Sequence, residues 1–572
     1  MTVAIAREKE HARATVSGVG ERSGSGPPAS NQIQSNVLDS VTIATRHVGH
    51  SAPPIPLPVP KPPNILLLVS DQQRPDLLGC LGRIPVRTPN LDRLAREGTL
   101  FTRAYTPCPL CTPARASLLT GQYPSRHGAW SIGVDTPDNA LSLPALLRER
   151  AGYYTGIVGK SHFKSCQRAD SPEAFPASRD WEHFRRWSGP WYGFDRARLS
   201  VGHADEPHAY SMHYGLWLQE HGVAPEPPYF HHLNGGALPN DHVGRWDLPE
   251  RFHSNAWILD ETRAFLDEHA AQRTDQPFYL AVNFPDPHLP FKVPAPWDRL
   301  HDDVALPQPC RRVGELEGKP SLYRATVEND LSRLAWHDRA QIPSLASARS
   351  LRHTVGWTSD EQACWRIYMG MQSLLDKYVG SILDELAERN LSEDTLVVYT
   401  SDHGELMGDH WLQYKGGCHY RQSVGIPLIA RWPGRIPAGQ RQGALQSLVD
   451  LPVTFMRAAG LDAHPRMQGT DQLAVWQGEA DRAREGVWID QRLEKGITIN
   501  SWISESARLS LHSIHAERRA EWELYDLQAD PDEFDNLAGD SSTAEIRADL
   551  LGQLMSYQSA VASPGAMRLT YA

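Results

Sequence analysis

Four short, almost wholly apolar runs punctuate the middle of the chain: Asn64–Ser70 (NILLLVS), Tyr154–Gly159 (YTGIVG), Phe278–Phe284 (FYLAVNF) and Thr395–Thr400 (TLVVYT). Runs of this length without alternation, bounded by proline or polar residues, are the pattern of strands buried on both faces. Between them the period changes to that of helices. Over Cys364–Arg389, Ile367, Met371, Leu374, Leu375, Tyr378, Val379, Ile382, Leu383 and Leu386 fall on one face and predict a long amphipathic helix. Leu91–Glu97, opened by Asn90 and stopped by Gly98, and Leu143–Arg150, stopped by Gly152, predict shorter ones. Strands alternating with helices imply an α/β domain whose mostly parallel central sheet is flanked by helices.

Other stretches lack this rhythm. Residues 1–50, rich in Ser, Gly, Ala and charge, read as disordered or as an arm lying on a partner subunit, which would make the protein a homo-oligomer. Ala52–Pro63 is proline-rich and favours an extended polyproline linker, or alternatively a strap along the surface, so 1–63 precedes a catalytic domain over 64–484. Residues 165–260 hold six of the 17 tryptophans (Trp181, Trp187, Trp191, Trp217, Trp246, Trp257) with little periodicity. They suit an insertion or lid whose aromatics wall a substrate, or equally a loop-rich excursion stapled to the core. Over 485–572, short alternating segments (Gly486–Asp490, Ile497–Asn500) and an acidic, turn-rich stretch, Tyr525–Asn536, predict a smaller α+β C-terminal domain.

Each of the four apolar runs leads straight into reactive side chains: Asp71 and Gln72, Lys160 and His162, Asp286 and His288, Asp402 and His403. Open α/β sheets bind ligands outside the carboxyl ends of their strands, so four such ends describe one active site. Taken singly, each has a plainer reading. Asp71 and Asp402 could cap turns, Lys160 and Lys415 could be solvated charges, and His288 could sit exposed between its prolines.

Composition then narrows the partners. With 57 Lys+Arg against 68 Asp+Glu among 572 residues, the net charge of −11 argues against nucleic acid. The longest purely apolar run, about Ile65 to Val69, is far short of a membrane span, and no apolar leader precedes the domain. Seven scattered cysteines (80, 108, 111, 166, 310, 364, 418) make no disulfide framework, and the expected compartment is the reducing cytoplasm. The 25 histidines and the tryptophans exceed what a plain scaffold requires.

The most specific string is Pro109-Leu-Cys-Thr-Pro-Ala-Arg-Ala-Ser-Leu-Leu-Thr-Gly121. It reads as a helix start, with Thr112 as cap, Pro113 at the first helical position and Gly121 as stop. Cys111 then stands where unpaired N–H groups favour an anion or thiolate, and Arg115, one turn on, offers a planar cation for an oxyanion. Cys108 and Cys111 also fit a C-x-x-C redox pair, but no thioredoxin-like unit surrounds them, and zinc would need a second pair.

Cys111-Thr-Pro-Ala-Arg115 followed by Leu-Leu-Thr-Gly resembles the signature of type I sulfatases, members of the alkaline phosphatase superfamily. The resemblance runs from Asn64 to about Asn536. Asp71-Gln72 resembles the family's first metal pair, Gly159-Lys160-Ser161-His162 its G-K-x-H segment and Pro287-His288-Leu289-Pro290 its P-H-x-P. Ser401-Asp402-His403-Gly404-Glu405, then Gly408-Asp409-His410 and Lys415, resembles S-D-H-G-E…G-D-H…K, and Glu523-Leu-Tyr-Asp-Leu527 with Asp530-Pro-Asp-Glu533 the C-terminal segment. The resemblance implies that a formylglycine-generating enzyme converts Cys111 to formylglycine, the nucleophile. It further implies that Asp71, Gln72, Asp402 and His403 bind one divalent ion together with residue 111. Lys160, His288 and Lys415 would bind a small sulfated substrate, with His162 as base. Asp-Gln and Asp-His replace the commoner Asp-Asp and Asp-Asn, which keeps calcium or magnesium first and leaves manganese open. Two alternatives stay open: a phosphonate monoester hydrolase or phosphodiesterase of the same superfamily, and a sulfate-binding relative with an unmodified cysteine. The sister group shares Asp71-Gln72 and Asp402-His403 but usually departs at G-K-x-H, which is intact in this chain.

Overall fold

The computed structural model describes residues 61–166, 168–202, 210–225, 230–232, 243–328, 359–493 and 496–561. The expected arm and linker lie outside these residues up to 60. All four apolar runs are strands of one sheet. They are β1 (Asn64–Ser70), β3 (Tyr154–Lys160), β7 (Phe278–Asn283) and β9 (Thr395–Ser401), joined by β2 (Thr99–Tyr105), β4 (Arg196–Ser200), β10 (Gly425–Arg431) and β11 (Gln440–Gln442). A small second sheet holds β5 (Phe230–His232), β6 (Val243–Trp246) and β8 (Phe291–Pro294), and β12 (Gln446–Ser447) pairs only with β2. In space the main order is β11-β2-β10-β9-β1-β7-β3-β4. The run from β9 to β4 is parallel, and β10 lies antiparallel to both β9 and β2. Pro427 cannot donate to a ladder, and the register shifts there, between Ile426 and Leu428, where β10 meets β2.

Burial of β1 on both faces shows why its pattern lacks alternation. Leu66 and Leu68 enter one core with Ile367, Leu374 and Ile382 of the long helix Ser359–Glu388. Ile65, Leu67 and Val69 enter the other, with Ala114, Leu118 and Leu119 of the helix α1 (Cys111–Thr120). The aromatics of 165–260 act mainly as staples. Trp257 is fully buried in the first core and Trp217 packs against it from outside, both touching Tyr214, while Trp181, Trp187 and Trp191 pack against the second core. Trp246 alone of the six also lines a cavity at the site.

The C-terminal part is an antiparallel sheet, β13 (Val487–Leu493), β14 (Ile497–Ile503), β15 (Ala507–Ile514) and β16 (Arg519–Asp526), with the helix α2 (Ala544–Val561). Trp488, Trp502, Leu509 and Leu524 meet Leu550 and Leu554 of α2 in their own core. The Asp490 amide donates to the Pro107 carbonyl at 2.8 Å, tying β13 to the segment that leads into Cys111. Among the described residues no helix is long and apolar enough to cross a membrane.

Candidate active site

The register of the sheet sets the site. Ser70 of β1 lies opposite Ser401 of β9, so Asp71 and Asp402 leave adjacent parallel strands at the same level. Gly159 of β3 pairs with Asn283 of β7, which puts Lys160 and the Asp286–His288 turn at the same edge. The Asp71 amide donates to the Asp286 carbonyl at 3.0 Å and joins the two groups.

The helix α1 brings in Cys111 and Arg115, with one correction to the expected cap. Cys111 is itself the first helical residue and Leu110, in extended backbone, is the cap position. The Thr112 hydroxyl, already inside the first turn, finds no hydrogen-bond partner. Starting the helix at Cys111 sets its thiol inside the strand-end cluster, fully buried.

Arg115, 3% exposed, donates through Nη2 to Asp71 Oδ2, through Nε to Asp402 Oδ2 and through Nη1 to the Lys160 carbonyl, each at 3.0 Å. Its guanidinium is therefore committed to the two carboxylates, where the sequence pointed to an oxyanion. A planar fork is the cation suited to hold two carboxylates at fixed spacing. Lys160 Nζ adds a contact of 2.5 Å to Asp71 Oδ2. Burial alone would raise the Asp71 carboxyl, but Lys160, His288 and Arg115 hold it well below the usual carboxylate range.

With their Oδ2 atoms taken, the two carboxylates turn Oδ1 toward a common point. Asp402 Oδ1 and Asp71 Oδ1 lie 3.6 and 3.9 Å from His403 Nε2. Asp71 Oδ1 is also 3.8 Å from Cys111 Sγ. His403 Nδ1 lies 3.0 Å from the Gly404 carbonyl, an acceptor, so Nδ1 carries a proton and Nε2 is the nitrogen that faces the carboxylates. Ligand atoms of Asp71, Cys111, Asp402 and His403 all fall within 4.8 Å of one another. Gln72 follows Asp71 directly. Its Nε2 donates to Glu405 Oε2, which fixes the amide, while its buried Oε1 has no hydrogen-bond partner. Two carboxylates and an imidazole this close together, with an unpartnered buried carbonyl on the residue next to Asp71, suit an oxygen-preferring divalent cation.

The cationic side closes over Cys111. Lys415 Nζ lies 3.0 Å from Sγ and 2.7 Å from His288 Nε2. Burial would raise the Cys111 thiol, but Lys160, Lys415 and His403, with a hydrogen bond from His162, lower it well below its ordinary value. Burial and the Lys415 ammonium lower His288, so its neutral ring accepts from that ammonium. Burial likewise lowers His162. The strand-end residues singled out from sequence thus reach one cluster except Asp286, whose carboxylate accepts from Asn255 and lines the adjoining cavity, and none of Asp71, Asp402, Lys160 or His288 is a surface group. Beyond His288 a cavity is lined by Tyr210, Tyr214, Trp246, His253, Asp286 and Lys292.

Sequence reasoning missed the residues that hold this cluster. Glu405 binds Gln72 and, through Oε1, accepts from the Met407 amide at 2.9 Å and the Tyr414 amide at 2.5 Å, anchoring the loop that carries Lys415. Its place in Ser401–Glu405 was a signal, but of family rather than of role. Gln72, His162 and Tyr414 have positive φ of 63°, 52° and 65°, a conformation that non-glycine residues adopt only where the surroundings impose it.

Known proteins resemble this chain over most of its length. The family model Sulfatase matches residues 63–461, and N-sulphoglucosamine sulphohydrolase, C-terminal, matches residues 408–560. An uncharacterized sulfatase of Escherichia coli K12, YidJ, is 27% identical over 508 residues, covering 88% of each chain. An arylsulfatase of Clostridium perfringens is 26% identical over 501 residues, covering 86% of this chain and 93% of its own. The crystal structure of the phosphonate monoester hydrolase of Agrobacterium radiobacter, 26% identical, superposes with a TM-score of 0.67 over 87% of this chain and 96% of its own. Since the sulfatase model spans well over half of the residues, the chain belongs to the sulfatase family of the alkaline phosphatase superfamily and is an enzyme of that family.

Proposed function

We propose that the enzyme hydrolyses sulfate monoesters of a small aryl or carbohydrate alcohol and releases inorganic sulfate, with residue 111 as the nucleophile. One observation carries this reading: the residue 111 side chain is ringed by His162, Lys160, Lys415 and His403 and lies beside carboxylates pinned by Arg115. Formylglycine formed from Cys111 would supply an attacking hydroxyl and, on the same carbon, a second one whose deprotonation releases sulfate. Asp71, Gln72, Asp402 and His403 would hold one divalent cation, calcium first by donor type, which supplies charge for the developing oxyanion.

The protein's own groups divide the remaining work. Lys160 and Lys415 flank residue 111 and offer fixed positive charge to the sulfuryl oxygens, where preorganised electrostatics contribute most. The Lys415–His288 pair keeps one transferable proton on the side that faces the cavity, where the leaving oxygen would emerge, and so serves as general acid. His162, hydrogen-bonded to residue 111, is placed to remove its proton. Tyr210, Tyr214 and Trp246 give the alcohol an aromatic wall.

Phosphonate monoester hydrolysis is the competing reading, and the likeness to the Agrobacterium enzyme favours it. Lys160 and His162 of the intact G-K-x-H segment both reach residue 111, which supports sulfate instead. Steady-state kinetics with an aryl sulfate and an aryl phosphonate decide between them. A kcat/KM about tenfold higher for the phosphonate, roughly 1.4 kcal/mol of transition-state preference, overturns the sulfate reading. Intact-mass analysis must also show residue 111 lighter by sulfur plus two hydrogens less one oxygen.

A further inference from the structure

One buried acid has no part in the chemistry described so far. Glu173 is fully buried and lies in no strand or helix. Its Oε1 accepts from the Ser161 hydroxyl at 2.6 Å, from the Phe163 amide at 3.2 Å and, at the longer distance of 3.4 Å, from the Lys164 amide. These donors bracket His162, which sits between Ser161 and Phe163 with φ of 52°. A residue without glycine's freedom holds that backbone only when its neighbours are fixed. On the far side the loop is fixed by the Phe163 carbonyl, which accepts from the Thr136 amide at 2.8 Å, and by Asp135, which accepts from the Ser165 amide at 2.8 Å. On the inner side Glu173 spans from Ser161 to Lys164.

We propose that Glu173 is a positioning residue that clamps the turn after β3 and thereby sets both Lys160 and His162 against residue 111. The inference rests on the sulfate-ester reading for its kinetic consequence but not for its structural one. What the turn needs is an acceptor oxygen at one point, not a charge. Burial pushes the Glu173 carboxyl up to about 7, so at neutral pH it is not fully ionised, and three donors converge on Oε1 alone. A glutamine can present the same oxygen, whereas an alanine leaves Ser161 Oγ and two amides buried without an acceptor.

The test compares Glu173→Gln, Glu173→Ala and Ser161→Ala in the full-length enzyme. Three readouts are needed: hydrogen exchange of the 161–174 peptide, calorimetric affinity for inorganic sulfate, and kcat on an aryl sulfate. Glu173→Ala should expose the Phe163 and Lys164 amides to exchange, weaken sulfate binding by about tenfold and lower kcat by roughly 100-fold, the cost of a catalytic group displaced by about an ångström. Glu173→Gln should stay within about threefold of wild type in all three, which a requirement for charge would not allow. If the alanine variant fails to fold, Ser161→Ala supplies the intermediate case, with kcat lowered by about tenfold at unchanged thermal stability. A folded Glu173→Ala with wild-type exchange and sulfate affinity overturns the clamp, as does a glutamine variant as damaged as the alanine one. Failure of the sulfate reading looks different: wild type itself would neither bind sulfate nor turn over the ester, while the exchange data would still judge the clamp.

Discussion

Replacing Arg115 with methionine tests how the two carboxylates are held. Methionine keeps most of the aliphatic stem and removes three hydrogen bonds of 3.0 Å. Asp71 and Asp402 are both 0% exposed, so neither can recover solvation when the guanidinium leaves. Lys160 still contacts Asp71, but among the contacts seen Asp402 keeps only His403 and two amides, Gln72 and His403, on its Oδ1. Breaking a buried pair in this way costs about 3–5 kcal/mol, and the shared network makes that a better guide than summing single bonds. A divalent cation changes the balance because its charge can take over from the guanidinium. Bound at a hundred times its dissociation constant, it adds about 2.7 kcal/mol to any state that holds it. Urea unfolding followed by tryptophan fluorescence should show Arg115→Met less stable than wild type by about 3 kcal/mol or more in chelator, and excess calcium should narrow that gap only as far as the variant binds the ion more tightly, by about 1.4 kcal/mol for each tenfold in Kd. A variant within about 1 kcal/mol of wild type in chelator would refute the argument that Arg115 is the main counter-charge of the pair.

Three further outcomes follow from other parts of the site. Cys111→Ala should abolish turnover and leave the unfolding midpoint nearly unchanged, because a small buried thiol contributes little beyond its chemistry; measurable ester hydrolysis by the folded variant contradicts residue 111 as nucleophile. Gln72→Leu removes the orphaned carbonyl while keeping much of the side-chain volume, so calcium affinity by calorimetry should fall about 10–100-fold, and an unchanged affinity would place Gln72 outside the ligand set. Burial raises Asp286 from 3.8 to about 7, against a hydrogen bond from Asn255. The folded state then binds more protons than the unfolded one between these values, so folding is favoured at low pH and a penalty of a few kcal/mol, at about 1.4 kcal/mol per unit, develops as pH rises toward 7. Asp286→Asn should flatten that decline in urea titrations at pH 5 and pH 8, and an unaltered slope would mean that Asp286 does not titrate there.

The fold was legible where burial is two-sided. β1, β3, β7 and β9 carry unbroken apolar runs because both cores press on them, and their ends named the site. β10 was not legible because Pro427 argues against a strand, and only the register shift beside β2 makes room for it. Of the candidate site, the acids, imidazoles and cations that cluster around residue 111 were readable because each stands next to a strand end or in a compact motif. Arg115 was found, but its target was not, since spacing along a helix does not say which of two anions a guanidinium will meet. Glu173 and Glu405 were beyond reach as positioning groups. An isolated acid in a loop carries no mark in sequence that it will be buried against amides, and that burial is what gives each its role. The tryptophan cluster shows the reverse: a conspicuous composition that mostly serves packing.

The pairing of Ser70 with Ser401 has a consequence for which ion the enzyme can use. Two carboxylates that leave neighbouring strands at one level start from the inter-strand spacing of about 4.8 Å set by backbone hydrogen bonds, and the Arg115 guanidinium then holds both of them. Sheet and guanidinium together would act as a caliper that resists opening for a larger ion or closing on a smaller one. Because Glu405 fixes the Gln72 amide, a mismatch in ionic radius would fall on residue 111, the nucleophile of the proposed reaction. Exchanging one divalent ion for another would then shift the reacting atom more than the carboxylates, so that ion size is read out in rate before it is read out in affinity.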